Sequence, residues 1–258
     1  MTFSKQHRSL FIGLLLVLEL LVACAVLYLV LQAFVQPVIV TQRNERDEIF
    51  MLAAYGLAFK EWDGDYGQQK PLRGSNVAAV LVQDDKIVAY GLNREFEKRQ
   101  LLYHAEMDLV LTYLDKLSHT QKNVATLEAA TVYVTLEPCL MCFSTLRTLG
   151  VERIIYGERD MAHGSIKALQ GSYMIHRPEL IPAPTPFVNQ LNVGFSHAST
   201  VQGMSLRKWL HRQAVKDIYQ SAYCSLLVYK LRYTENNDAL KNAQNFLQET
   251  PGTMPTCK

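Results

Sequence analysis

Four side chains in two short segments have the types and spacing for hydrolysis at a metal. His104 and Glu106 stand two apart. Cys139 and Cys142 stand three apart, with Pro138 before the first cysteine. Imidazole and thiolate are both zinc ligands, and three protein ligands with one position left open mark a catalytic rather than a structural zinc. A structural site would want a fourth Cys or His nearby, and neither segment has one. Zinc held this way lowers the pKa of bound water from 15.7 to about 7. A carboxylate beside it can carry a proton from that water to a leaving group. Water activation, proton transfer to a departing amine and a hold on the base are what hydrolytic deamination of a nucleobase requires. His104, Cys139 and Cys142 are therefore the expected zinc ligands, and Glu106 the expected general acid/base. Either half alone is weak: a lone His-x-Glu is usually surface chemistry, and a lone Cys-x-x-Cys is often a redox pair or a structural zinc half-site. Together they supply three zinc ligands and a carboxylate, the set that hydrolytic deamination of a nucleobase needs.

The elements around these residues are those such a site needs. Pro138 is tolerated at a first helical position, so a helix is expected from there to about Leu149. It puts both cysteines in its first turn, one turn apart, where the N-terminal dipole favours thiolate. A second helix is expected over 102–117, opened by His104. Residues 77–82 and 87–92, joined by Asp84-Asp85-Lys86, read as a β-hairpin. Strands are expected over 130–136 and 151–156, and an amphipathic helix over 47–62. Strands alternating with helices argue for a layered α/β domain. Residues 178–186 hold four prolines and read as linker or extended loop; 206–231 and 239–247 read as helices.

Tyr103-His104-Ala105-Glu106-Met107 and Thr135-Leu136-Glu137-Pro138-Cys139-Leu140-Met141-Cys142 resemble the cytidine-deaminase-like superfamily, most closely its bacterial tRNA adenosine deaminase branch. Ala79-Val80-Leu81-Val82 resembles that branch's first strand. Gly91-Leu92-Asn93-Arg94 resembles a segment whose asparagine contacts the base, so the resemblance makes Asn93 the substrate-binding candidate. Residues 153–160 resemble the strand and turn after the second metal helix, and the likeness covers roughly 47–172. It implies a three-layer α/β/α domain with a central mixed sheet, a Zn2+ cofactor and a homodimer. The implied substrate is a nucleobase, either adenosine in tRNA or a free nucleoside or base such as guanine or cytosine. The chain departs from that branch at Tyr103, where the branch has alanine, and at Phe143-Ser144-Thr145, where it has small residues. Both aromatics could narrow a pocket or stack on a base, or they could be core.

The 258 residues carry a net charge of +2, which excludes a general polybasic nucleic-acid binder. Residues 10–31 hold sixteen Leu, Ile, Phe or Val and one charge, Glu19. About twenty apolar residues span a bilayer core as a helix. At roughly −0.3 to −0.6 kcal/mol each, these outweigh a central acid at about +3. A single-pass N-terminal anchor is therefore expected, with a lipoprotein through Cys24 as the alternative. Lys5 and Arg8 before the segment balance Arg43 and Arg46 after it, so charge does not orient it. The expected organisation is an anchor over 1–40, a deaminase domain over 41–175, and a linker with a helical extension over 176–258. Residues 206–232 mix six basic residues with aromatics, which suits phosphates and stacked bases or a solvated basic face. Cys224 and Cys257 are expected as a buried thiol and a tail thiol. The competing function is a membrane-tethered binding module that keeps the fold without turnover; an intact Glu106 argues against it.

Overall fold

The computed structural model describes residues 5–30, 36–64, 72–118, 126–169 and 178–257, without the side chains of 5–15, 30, 37 and 168. The chain divides into two units, Met1–Arg43 and Asn44–Lys258. In the first unit, helix α1 runs over Lys5–Val30. Its described side chains, 16–29, are exposed. Among the described residues no helix is long and apolar enough to cross a membrane. The expected anchor over 10–31 is corrected accordingly, and with it the membrane partner, the membrane localisation and the Cys24 lipoprotein. An acid, Glu19, stands within the described stretch 16–29, where a charge opposes burial in lipid. Residues 10–15 and 30–31 of the expected segment lie outside the described side chains.

The second unit is built on a five-stranded sheet. Helix α2 (Gln36–Lys60) enters it, and the hairpin β1 (Ala78–Gln83) and β2 (Lys86–Leu92) follows. Then come α3 (Ala105–Ser118), β3 (Thr131–Leu136), α4 (Leu140–Thr148), β4 (Arg153–Glu158), the short α5 (Ser165–Ala168) and β5 (Glu179–Pro182). The sheet order is β2-β1-β3-β4-β5. β1 is antiparallel to β2 and β3, whereas β3, β4 and β5 are parallel. Consecutive residues Val132, Tyr133 and Val134 are all buried, as are Ala79, Val80 and Leu81. Side chains alternate between faces along a strand, so both faces of the sheet are covered.

Two expectations are revised here. Residues 178–186 contribute β5 rather than only a linker. Its four residues sit at the sheet edge, where Pro182 costs no ladder hydrogen bond. The expected helix over 206–231 is broken into α7 (Leu206–Trp209) and α8 (Gln213–Leu227), and α6 (Pro186–Gln202) precedes them. No Gly or Pro marks that break. The buried His211 ring lies 3.0 Å from Asn76 Nδ2 and 2.9 Å from the Gly64 carbonyl, turning the chain inward there.

Helix α2 is the central pillar of this unit. One side meets the sheet through Phe50 against Tyr133. The other meets α8 and α9 (Asn237–Glu249): a Cβ on Gly56 would lie 2.5 Å from Leu247. Buried polar groups fix its register. Arg153 makes a bidentate pair with Asp47 at 2.6 and 2.9 Å, and Tyr133 OH donates to the same carboxylate at 2.8 Å. Glu45 accepts hydrogen bonds from the backbone of Arg232 and Tyr233 and from Asn236 Nδ2. Asp47→Asn should lower stability by about 3 kcal/mol, the low end for breaking a buried pair, because Arg153 keeps Glu179 at 2.8 Å. A fall in the urea midpoint with unchanged slope would show it.

Cys224 and Cys257 are bonded to each other, thirty-three residues apart in sequence, which corrects their reading as separate thiols. The link holds the C-terminal segment on α8, where Thr253 N donates to the Lys60 carbonyl at the end of α2. Closing a loop of this length removes about 3–4 kcal/mol of unfolded-chain entropy. Cys257→Ser should therefore destabilise by up to that amount. Mass spectrometry after alkylation under non-reducing denaturation should find Cys224 unmodified in the native chain only.

Candidate metal centre and active site

The two chemical segments come together because each opens a helix beside a strand end. His104 immediately precedes α3, and its carbonyl accepts the first turn's hydrogen bond from Asp108 N at 2.9 Å. Asp108 in turn accepts from Leu92 N and Arg94 Nε at 3.0 and 3.1 Å, which ties α3 to the end of β2. At that contact a Cβ on Gly91 would lie 2.3 Å from the Ala105 carbonyl, so only glycine permits this helix–strand approach. Cys139 is the N-cap of α4, with extended φ −68° and ψ 167°. Cys142 falls in the first turn and is fully buried.

His104 Nδ1 lies 3.6 Å from both Cys139 Sγ and Cys142 Sγ. The three ligand atoms are all within 4.8 Å of one another. A tetrahedral zinc with ordinary bond lengths sets its nitrogen and sulfur ligands about 3.6 Å apart, so this donor set fits that ion. The electrostatics agree. The Cys139 thiol is pulled down to about 4 by the hydrogen bond from Cys142, and the His104 hydrogen bond adds to this against burial. Cys142 is pushed up by hydrogen bonding to Cys139 and by burial, so it retains the shared proton. A divalent cation between them is what would release that proton.

Glu106 is almost wholly buried, and burial pushes its carboxyl up to about 7. Its electrostatic neighbours are His104, Cys139 and Cys142. Asn93, just beyond β2, is also buried. Its Oδ1 accepts from Ser75 N at 3.3 Å and Glu95 N at 3.2 Å, which leaves its Nδ2 as the group for other partners. A Cβ on Gly74 would lie 2.0 Å from that oxygen, so Gly74 and Asn93 are matched in shape. All five sequence-selected residues except Cys142 line one cavity of about 900 Å3, and the buried Cys142 ligand atom lies within 4.8 Å of those of His104 and Cys139.

These residues match a family. The cytidine and deoxycytidylate deaminase zinc-binding region is found over residues 45–158. The tRNA-specific adenosine deaminase of Rickettsia bellii (strain RML369-C) is 33% identical over 110 residues, which cover 40% of this chain and 72% of that protein. The chain belongs to this zinc-dependent deaminase family. The tRNA-specific adenosine deaminase 2 of Xenopus tropicalis is 36% identical over 91 residues, about half of its own length at 52% and 34% of this chain. A solved structure from work on A-to-I editing by tRNA:A34 deaminases is 29% identical, with a TM-score of 0.37, covering 42% of this chain and 82% of that one. Zinc is the cofactor of the family, and His104, Cys139 and Cys142 are the residues that would hold it here.

Several site residues escaped the sequence reading. Glu137 is buried; its two oxygens accept from Ile166 N at 2.8 Å and Asp160 N at 3.2 Å, clamping the loop after β4 against the start of α4. Its signal was an acid directly before Pro-Cys. A Cβ on Gly164 would lie 2.3 Å from that carboxylate. Phe143 is core, fully buried, and Tyr103 lies under Lys98; neither lines the cavity. Leu101, Leu102 and Met161 line it instead, together with residues of the C-terminal helices. Replacing Cys142 with serine should abolish tight zinc binding, read as a fall from one zinc per chain to near zero by metal analysis.

Proposed function

We propose that this chain is a hydrolytic deaminase of a nucleobase, converting an amine-bearing ring carbon to a carbonyl with release of ammonia. The observation that carries the reading is the convergence of His104, Cys139 and Cys142, with the buried Glu106 carboxyl lining the same cavity. When bound, zinc supplies Lewis-acid activation of water at that point. Glu106 takes a proton from the attacking water and returns it to the amine, so a C–O bond forms as the C–N bond breaks. Burial pushes the Glu106 carboxyl up, the direction that lets it hold a proton as well as accept one. Asn93 donates from Nδ2 to an acceptor on the base and holds the ring in place. Adenine leads among the bases, on the likeness to tRNA-specific adenosine deaminases. Assembly as a homodimer belongs to the same reading and rests on the family resemblance.

A binding module without turnover is disfavoured, because a metal scaffold has no use for a buried carboxyl beside its thiols. The test is to incubate the zinc-loaded full chain with total tRNA and with separate nucleosides and bases, following amine-to-carbonyl conversion by mass spectrometry. Glu106→Ala should reduce turnover about 10²- to 10⁴-fold while zinc content stays the same. Equal turnover in the variant would remove Glu106 from the mechanism.

A further inference from the structure

The cavity has two unlike sides. One carries the metal ligands, Glu106 and Asn93. The other is supplied by the C-terminal helices: Phe195 from α6, then Met204, Leu206, Arg207 and Leu210 across α7. Residues 204–210 are fixed in place from several directions. The Arg207 guanidinium pairs with the buried Glu95 carboxylate at 3.1 Å and lies 5.0 Å over the Phe96 ring. Asn76 Nδ2 donates to the Leu210 carbonyl at 3.2 Å. Trp209 is buried against Gly194, where a Cβ would come within 2.7 Å of the indole. This is a built wall rather than a loose tail. A cavity of about 900 Å3 with an apolar wall and a few polar groups has the proportions of a small-molecule site.

Its charge points the same way. Glu95, Glu106, Glu137 and Asp160 line it. The guanidinium among them, Arg207, is already matched by Glu95. Arg94, between the lining residues Asn93 and Glu95, is matched by Asp108 at 3.1 Å and Glu97 at 2.8 Å. Polynucleotides are held through phosphates by Lys and Arg, whereas Arg207 and Arg94 are each engaged by carboxylates. The exposed Lys208 and Arg212 lie outside the cavity lining.

Building on the deaminase reading, we propose that residues 204–210 form the specificity wall of the site and that, through the Arg207–Glu95 pair, they restrict the ligand to a monomeric, uncharged base or nucleoside. Glu95 and Arg207 are positioning and specificity residues.

The test is calorimetric binding to zinc-loaded, full-length Glu106→Gln protein. The probes are adenosine, guanosine, cytidine and their free bases, with total tRNA as competitor. At least one monomer should bind one to one without displacement by tRNA. Arg207→Ala and Glu95→Gln should each weaken it about tenfold or more with zinc content unchanged, and Lys208→Ala should leave it unaltered. Leu206→Trp, which fills the cavity from the wall and leaves the ion pair intact, should block binding even if the charge variants fold poorly. Displacement of the monomer by tRNA, tRNA binding that Lys208→Ala weakens, or no monomer binding would overturn the proposal. So would monomer binding indifferent to both Arg207→Ala and Leu206→Trp. Turnover by the unsubstituted chain is scored separately: a monomer bound at this wall but never converted refutes deamination and leaves the wall standing.

Discussion

Three donors from two helices must meet within the coordination sphere of one ion, and little in this unit is free of that demand. Thiolates and an imidazole at 3.6 Å spacing repel or trap protons unless a cation lies among them, so the surrounding fold must hold α3 and α4 in register against that tendency. It does so with close approaches at two glycines and with two carboxylates that accept from backbone N–H groups. Gly91 lets α3 close on β2, Asp108 caps the end of that strand, and Glu137 and Gly164 lock the loop after β4 to the start of α4. The two glycine contacts are close approaches that a bulkier residue would prevent. The positions of the ligands are therefore set by the sheet, and only their identities by the two motifs.

The same reasoning extends to the far side of the sheet. Helix α2 carries buried side chains around its whole circumference from Ile49 to Phe59, because it lies between the sheet and the C-terminal helices. Helices α8 and α9 complete that core. The chain between α6 and α8 is thereby delivered to the mouth of the cavity. A segment that closes the core thus also bounds the site, and the ion pair of Arg207 with Glu95 joins the two roles.

Legibility in the sequence followed range along the chain. The hairpin of β1 and β2 was readable because two apolar runs flank Asp84-Asp85-Lys86, and both aspartates do adopt positive φ in the turn. The helices bearing the metal ligands were readable because ligand spacing and helix start are local properties. β5 was not: four residues at a sheet edge, ending in proline, bear no alternation long enough to count. The break between α7 and α8 was not, because a buried histidine rather than Gly or Pro makes it.

What the sequence alone determined was the metal donor set: His104, Cys139 and Cys142 read as a zinc site because ligand types at short spacing leave few other uses. Tertiary structure alone decided what those residues face. The Cys224–Cys257 bond, the core position of Phe143 and the wall formed by Met204, Leu206 and Arg207 all depend on which distant segments meet. Such meetings are settled by packing around α2 and the sheet, a many-body outcome that no local pattern of residues encodes.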